Sequence, residues 1–179
     1  MEIQQEEAPF VSSLRRILLA ISVVSDDIPY CQGMNLLAAF LLVVMNEEET
    51  VFWTLAAILQ FTFPPHYFDE TLSGARIDAV VVVAIDYMQE LFSQFAKEDF
   101  PELVTRLESF DEHILSISLS WFMNMFINTL PMCTVVRVWD VILIEGDKAL
   151  MRIALALLAL NNDYLLSIED DSDMATMFR

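Results

Sequence analysis

Residues 36–45 read LLAAFLLVVM, the longest uninterrupted apolar stretch of the chain. Ten residues are too few to cross a bilayer, which takes about 18–20, but they suit a helix that is buried on most of its surface. On both sides of this stretch, apolar residues recur at a spacing near 3.6, which predicts further helices. The 179 residues include only three Gly and six Pro, too few for the turns of a sandwich or barrel. The sequence therefore predicts an all-α, multi-helix single domain.

Breaks in the helical spacing predict where the helices begin and end. The pattern over 10–21 predicts a first helix, and the pattern over 30–45 predicts a second. Asn46 is predicted to cap a third helix, with Glu49 reaching back in a capping box. This helix is expected to end before the double proline at 64–65. Its inward face is predicted to carry Val51, Phe52, Leu55, Ile58 and Leu59.

The segment 79–85, AVVVVAI, is ambiguous between strand and helix. Its valines favour a strand by local propensity. The apolar pattern continues as far as Phe95, however, which is too long for a strand, so the sequence predicts a helix. Pro101 then predicts the first turn of a short helix over 99–110, and a capping box at 109–112 predicts the start of the next helix.

The C-terminal part predicts two more helices and a tail. The segment 135–145 is predicted to be helical and to be closed by Gly146. Asp147 is expected to cap a last helix that runs through Leu160. We expect the helical domain to occupy residues 1–165 and the acidic residues 166–179 to form a flexible tail.

The charge balance excludes several classes of function. Nine Lys and Arg stand against 27 Asp and Glu, a formal net charge of −18. Binding to a nucleic-acid backbone requires clustered cations, so nucleic acid is not an expected partner. The two cysteines form no disulfide framework, and the acidic N-terminus has no apolar core typical of a signal peptide. These features predict a cytoplasmic location and no membrane span.

Most of the reactive side chains have ordinary structural interpretations. Cys31, His66 and His113 show no spacing typical of a thiol nucleophile pair or a zinc site, and no glycine-rich phosphate loop occurs. The three tryptophans, Trp53, Trp121 and Trp139, lie on apolar helical faces and are predicted to pack in the core. Asp140 is predicted to be a hydrogen-bonded structural carboxylate, with Arg137 as its neighbour one helical turn away.

The segment Tyr30-Cys31-Gln32-Gly33-Met34-Asn35 combines polar residues and a glycine directly before the apolar stretch. It can be a plain helix start with Gln32 exposed. Glycine is a costly choice there by helix propensity, but it permits the close approach of another backbone, as a surface that docks a partner would require. The residues alone leave both interpretations open.

This hexapeptide resembles the YxQ signature block of the TBC domain family of Rab GTPase-activating proteins. The resemblance continues in the family's order over about residues 10–160. The matching segments are Leu14–Ala20, Val51–Trp53, Ser120–Met123, Leu130–Pro131, Val138–Val141 and Glu145–Gly146.

The resemblance implies an all-helical domain that activates Rab-type GTPases. Gln32 would be the catalytic glutamine finger, which orients the attacking water at the GTP γ-phosphate. Tyr30, Gly33, Met34 and Asn35 would support the finger or contact the GTPase. GTP and magnesium would belong to the Rab partner, so no cofactor is expected on this chain. Peripheral association with endomembranes would come through partners.

One family motif is missing from this sequence. The I-x-x-D-x-x-R pattern, which supplies the family's arginine finger, does not occur, and Ile28-Pro29 stands where the family usually has a glycine. We therefore expect the chain to start downstream of that motif. An arginine finger contributes a factor of about 10³–10⁵ in rate, so two interpretations stay open. The chain is an activator whose arginine lies outside it, or a non-catalytic Rab-binding or scaffold domain; an unrelated helical module is a third alternative.

Overall fold

The protein is described by a computed structural model, which covers residues 8–24, 33–62, 77–109 and 114–169. These ranges contain eight α-helices and one short π-helical segment. They are α1 (Pro9–Val24), α2 (Met34–Met45), α3 (Glu48–Ala57) with the π-helical segment Ile58–Thr62 directly after it, α4 (Ile77–Asp99), α5 (Pro101–Glu108), α6 (Ile114–Asn124), α7 (Met132–Glu145) and α8 (Asp147–Ser167).

The first three helices pack against one another. The apolar stretch 36–45 makes up most of α2, and its buried residues are Leu37, Ala38, Phe40, Leu41 and Leu42. Helix α3 presents its predicted face, since Val51, Leu55, Ile58 and Leu59 are buried and Phe52 packs against the core. Thus α1, α2 and α3 share one core, to which α2 contributes most of its length.

The remaining helices form a second group that meets α2. Helix α4 packs on α5, α6 and α8, and α7 packs on α8. The ring of Phe92 in α4 stands edge-on to Phe122 in α6, with centroids 5.6 Å apart, a geometry worth about 0.5–1.5 kcal/mol beyond the area buried. Contacts of α6 with α2, and of α7 with the π-helical segment, join the two groups.

The valine-rich segment lies within α4, so the predicted helix is confirmed. Pro101 is at the first turn of α5, as predicted. Gly146 ends α7 with a positive φ of 74°, also as predicted. Ser109 ends α5 and bonds its hydroxyl to the carbonyl of Arg106, while the rest of the capping box predicted at 109–112 lies outside the described residues.

The predicted cap at Asn46 is wrong. Asn46 instead ends α2 in a left-handed conformation (φ 55°), and its N–H donates to the carbonyl of Leu42. The N-cap of α3 is Glu47, without a side-chain cap bond. Asparagine is one of the few residues that tolerate the left-handed region, which is why it serves at helix C-termini as well as N-termini. The sequence signal was real, but it marked the end of one helix and not the start of the next.

The last helix differs from its prediction in two respects. Its N-cap is Gly146, with no side-chain cap bond from Asp147, and it continues past Leu160 to Ser167. By length and composition α8 could also cross a membrane. Core helices of globular proteins meet the same criterion, and α8 buries a face of Ala149, Leu150, Ala154, Leu158 and Leu165. That no segment spans a membrane stays a prediction.

Candidate functional site

Gly33 forms the turn that starts α2. Its φ is 103° and its ψ is −23°, a left-handed conformation that side-chain-bearing residues rarely adopt. The N–H groups of Leu36 and Leu37 donate to its carbonyl at 2.9 and 3.0 Å. Gly33 therefore fixes the direction in which the chain enters α2, immediately after Gln32.

The C-terminus of α6 lies against this turn. A Cβ added at Gly33 would stand 2.9 Å from Oδ1 of Asn124 and 3.3 Å from the carbonyl oxygen of Met123. The first distance is shorter than real Cβ contacts show, so a side chain at this position would require Asn124 to shift and the Met123 carbonyl to yield slightly, in addition to the strain of the positive φ. The close approach that a glycine permits is thus used within the chain, because the approaching backbone belongs to α6.

Helix α6 ends in a tight cap made without glycine. The N–H of Phe126 donates to the carbonyl of Trp121 at 3.1 Å, the 6→1 bond that closes a Schellman-type helix end. Met125 (φ 47°) and Phe126 (φ 65°) are both left-handed and fully buried. Each costs about 1–2 kcal/mol relative to a right-handed residue. The rings of Trp121 and Phe126, 6.1 Å apart, supply the apolar contact that accompanies such caps.

Trp139 of α7 holds this cap in place. Its indole N–H donates to the carbonyl of Met125 at 3.0 Å in a buried position. A buried carbonyl left without a donor costs about 1–3 kcal/mol. The indole ring also lies 4.5 Å from the ring of Phe40 in α2. One side chain therefore contacts both the α6 cap and the helix that Gly33 begins.

The predicted site residues fall into two sets. Met34 is buried in the core beside Gly33, and Asn35 is exposed on the first turn of α2. Gly33, Met34 and Asn35 are consecutive at one helix start, so the structure brings them together. Tyr30 and Gln32 lie outside the described residues, and their roles stay predictions.

The family model described as the Rab-GTPase-TBC domain matches residues 2–166. The chain belongs to the Rab-GTPase-TBC domain family. The family predicted from the sequence is thereby confirmed, and so is the all-α fold.

Relatives of this TBC domain include much longer proteins. TBC1 domain family member 2A of Mus musculus is 35% identical over 170 residues, which cover 95% of this chain and 17% of that protein. TBC1 domain family member 2B of Xenopus tropicalis is 31% identical over 169 residues, 94% of this chain and 17% of that protein. The chain therefore spans about a sixth of the length of these curated relatives.

A solved structure also resembles this TBC domain. It is the crystal structure of the Chlamydomonas flagellar RabGAP TBC domain, with a TM-score of 0.76 and 27% sequence identity. The similarity covers 99% of this chain and 56% of that chain. The agreement extends over nearly the whole arrangement of helices described above.

Arginines of the TBC domain are paired with its own acceptors at four described positions. These pairs are Arg16 with Glu48, Arg106 with the carbonyl of Ile168, Arg137 with Asp140, and Arg152 with Glu145. An arginine finger needs a guanidinium that can reach a partner's phosphate. Arg16, Arg137 and Arg152 keep most of their side-chain surface exposed in these pairs, and none of the four lies in an I-x-x-D-x-x-R motif.

The pair of Arg16 and Glu48 joins α1 to α3. The guanidinium donates to both carboxylate oxygens, at 2.9 and 2.6 Å, and the hydroxyl of Ser13 donates to Oε1 at 2.8 Å. The hydrogen bonds from Arg16 and then Ser13 lower the pKa of Glu48 from 4.5 to about 2. The same contact raises the pKa of Arg16.

Two sequence predictions about single residues are wrong. Trp53 is 60% exposed, because it lies on the opposite side of α3 from Val51 and Leu55, and its ring packs edge-on against Phe52. Asp140 is also exposed, with its carboxylate 3.8 Å from the guanidinium of Arg137. Arg137 was predicted correctly as the neighbour of Asp140, but the carboxylate of Asp140 lies on the surface and not in a hydrogen-bonded structural position. Trp121 and Trp139 are buried, as predicted.

Sequence reasoning missed the parts of the site that come from α6 and α7. A buried indole N–H needs an acceptor, so Trp139 could have been expected to bond something, but nothing local names the carbonyl of Met125. Asn124 carried no signal at all. In the described part of the chain, no cluster of three or more His, Cys, Asp or Glu could hold a metal ion.

Proposed function

We propose that this TBC domain stimulates GTP hydrolysis by a Rab-type small GTPase, with Gln32 as the residue that enters the partner's nucleotide site. The observation that supports this most directly is the turn at Gly33. Gln32 is covalently attached to a residue whose backbone direction is fixed by α2 on one side and α6 on the other. A fixed base of this kind lowers the conformational entropy that the segment beginning at Gly33 must lose when a partner docks.

The chemistry of an amide suits this role. Its carbonyl oxygen can accept from the attacking water while its NH₂ donates to a neighbouring acceptor, and it adds no charge. Orienting that water is the task of the catalytic glutamine in small GTPases. GTP and magnesium are supplied by the partner, so this chain needs no cofactor of its own.

Met34 and Asn35 have different roles in this proposal. The buried Met34 anchors the first turn of α2, while the exposed Asn35 is free to face the GTPase. Tyr30, two residues before the finger, supports its placement or contacts the partner. The partner to test is a Rab protein, since the solved relative from Chlamydomonas is described as a RabGAP. We further propose a cytoplasmic protein that reaches endomembranes through its partners.

The decisive experiment is a single-turnover assay of GTP hydrolysis on a panel of Rab proteins. It compares this chain, the same chain extended upstream in its natural reading frame, and Gln32→Ala in both. Gln94→Ala is the matched control, because Gln94 is an exposed glutamine on α4 that bonds only to Glu90 in its own helix. We expect acceleration by the extended chain, loss of about 10²-fold or more with Gln32→Ala, and no change with Gln94→Ala.

Each other outcome has a defined meaning. An extended chain that accelerates no Rab protein would show that the activator proposal is wrong. Acceleration that survives Gln32→Ala would show that the finger is assigned to the wrong residue. Binding to a Rab protein without acceleration would favour the non-catalytic Rab-binding or scaffold domain.

A further inference from the structure

A continuous series of contacts leads from α7 to the start of α2. The indole of Trp139 donates to the carbonyl of Met125, and Met125 directly follows Asn124. Asn124 and Met123 in turn form the wall against which Gly33 turns. No step in this series involves a residue assigned to the nucleotide site of the partner.

The series fixes a backbone that would not choose this conformation unaided. Met125 and Phe126 are consecutive left-handed residues, and neither is a glycine. Residues of this kind persist only where their surroundings hold them. The buried hydrogen bond from Trp139 is the polar contact that reaches the first of them from another helix.

Trp139 also touches α2 itself. Its ring is tilted by 47° against Phe40, and both side chains are buried. The same indole thus sets the position of the α6 cap and of the helix that begins at Gly33. If it is altered, the wall and the turn can shift relative to each other.

We infer that Trp139 is a positioning residue for the glutamine finger, acting through Met125, Asn124 and Gly33. The inference rests on the proposed function of Gln32. Trp139 aligns the finger without touching the GTPase, so its loss lowers the maximal rate of stimulated hydrolysis. Affinity for the GTPase, which depends on the exposed surface, changes little.

The test uses Trp139→Phe, which keeps an aromatic ring against Phe40 but removes the indole N–H. We expect the maximal stimulated rate to fall about 10- to 100-fold, since a displacement near 1 Å at a reacting group has effects of this size. The half-saturating concentration should change by less than about 3-fold, because uniform binding is left intact. In a Gln32→Ala background, Trp139→Phe should cause no further loss of rate.

A matched control separates positioning from loss of stability. Leu103 is fully buried in α5, which packs on α4 and α8. Leu103→Ala should lower the melting temperature without changing the maximal rate at a temperature where the protein is folded. Should Trp139→Phe fail to fold, Asn124→Ala replaces it. This variant removes the Oδ1 wall beside Gly33 at a half-buried position and should lower the maximal rate by about 3-fold or more.

Hydrogen exchange provides a readout that does not depend on activity. The amides of Leu36 and Leu37, which donate to Gly33, should exchange faster in Trp139→Phe, and those of α5 should not. A rate loss that is just as large in the Gln32→Ala background, or a change confined to the half-saturating concentration, overturns the inference. If the wild-type extended chain accelerates no Rab protein, the proposed function fails and the finger role of Trp139 fails with it. The exchange data then still report whether Trp139 fixes the turn.

Discussion

Gly33 is held by two separate constraints, its positive φ and the atoms of Asn124 and Met123 that face its α-carbon. Gly146 provides a natural comparison. It also has a positive φ, 74°, but a Cβ added there would meet nothing within 4 Å. Gly146 thus lacks the spatial constraint, and its ψ of −149° places it in a different positive-φ region from Gly33, whose ψ is −23°.

Gly33→Ala should lower the free energy of unfolding by about 2–4 kcal/mol, from a left-handed backbone and an overpacked contact together. Gly146→Ala should cost only the backbone term, about 1–3 kcal/mol. Urea unfolding of the two variants beside the wild type measures the difference. A loss at Gly33 no larger than the left-handed backbone cost of about 1–2 kcal/mol would mean that α6 yields easily and does not constrain the turn.

At the scale of elements, α1 and α3 are joined by the hydrogen bonds of Ser13 and Arg16 to Glu48. The folded state keeps the pKa of Glu48 at about 2, whereas its ordinary value is 4.5. A group with a depressed pKa stabilises the fold above its unfolded value and loses that contribution as the pH falls towards its folded value. The stabilisation by the hydrogen bonds of Ser13 and Arg16 to Glu48 is therefore fully present at neutral pH. It is lost progressively as the pH falls from about 4.5 to about 2.

Glu48→Gln should consequently lower the urea midpoint at neutral pH, and the difference from wild type should shrink as the pH falls below 4.5. Glu49→Gln is the matched control, since Glu49 also lies in the first turn of α3 and interacts with the helix dipole in the same way. If the urea midpoints of the two variants differ by the same amount at every pH in this range, the hydrogen bonds to Glu48 do not stabilise the fold as proposed.

The helices were largely predictable because apolar periodicity is a local property. The stretch at 36–45, the valines of α4 and the proline of α5 each carry their own signal. Errors arose where one residue type serves two purposes, as Asn46 does at either end of a helix. Trp53 was assigned to the core on its large apolar ring, although its position, about 200° around α3 from Val51, already places it on the opposite face.

The candidate site was predictable only where it is continuous in sequence. Gly33, Met34 and Asn35 follow one another, so a motif can mark them. Asn124, Met125 and Trp139 come from distant positions, and only the packing of α6 and α7 brings them to Gly33. A tryptophan's need for an acceptor is visible in a sequence, but the identity of that acceptor is not.

At the scale of the whole molecule, the net charge of −18 bears on how a partner is met. A field of one sign accelerates encounter with a surface of the opposite sign and slows encounter with a like one. A partner that binds productively should therefore present a basic or mixed patch. The effect acts on the association rate more than on the final affinity.

The association rate with the proposed Rab partner should fall by about 10-fold or more when the salt concentration is raised from about 20 to about 500 mM. Stopped-flow measurement under both conditions tests this, with the dissociation rate as an internal comparison. A rate that does not depend on salt would show that the partner binds at a locally neutral surface.

The three tryptophans differ in exposure, so their intrinsic fluorescence can report on binding at the surface. Trp53 is in contact with solvent, whereas Trp121 and Trp139 are enclosed. A neutral collisional quencher such as acrylamide should reduce the red-shifted emission of Trp53 much more than the blue-shifted emission of the other two. Any protein that covers the outer side of α3 would restore the quenched light, so docking at that face can be followed without attaching a dye.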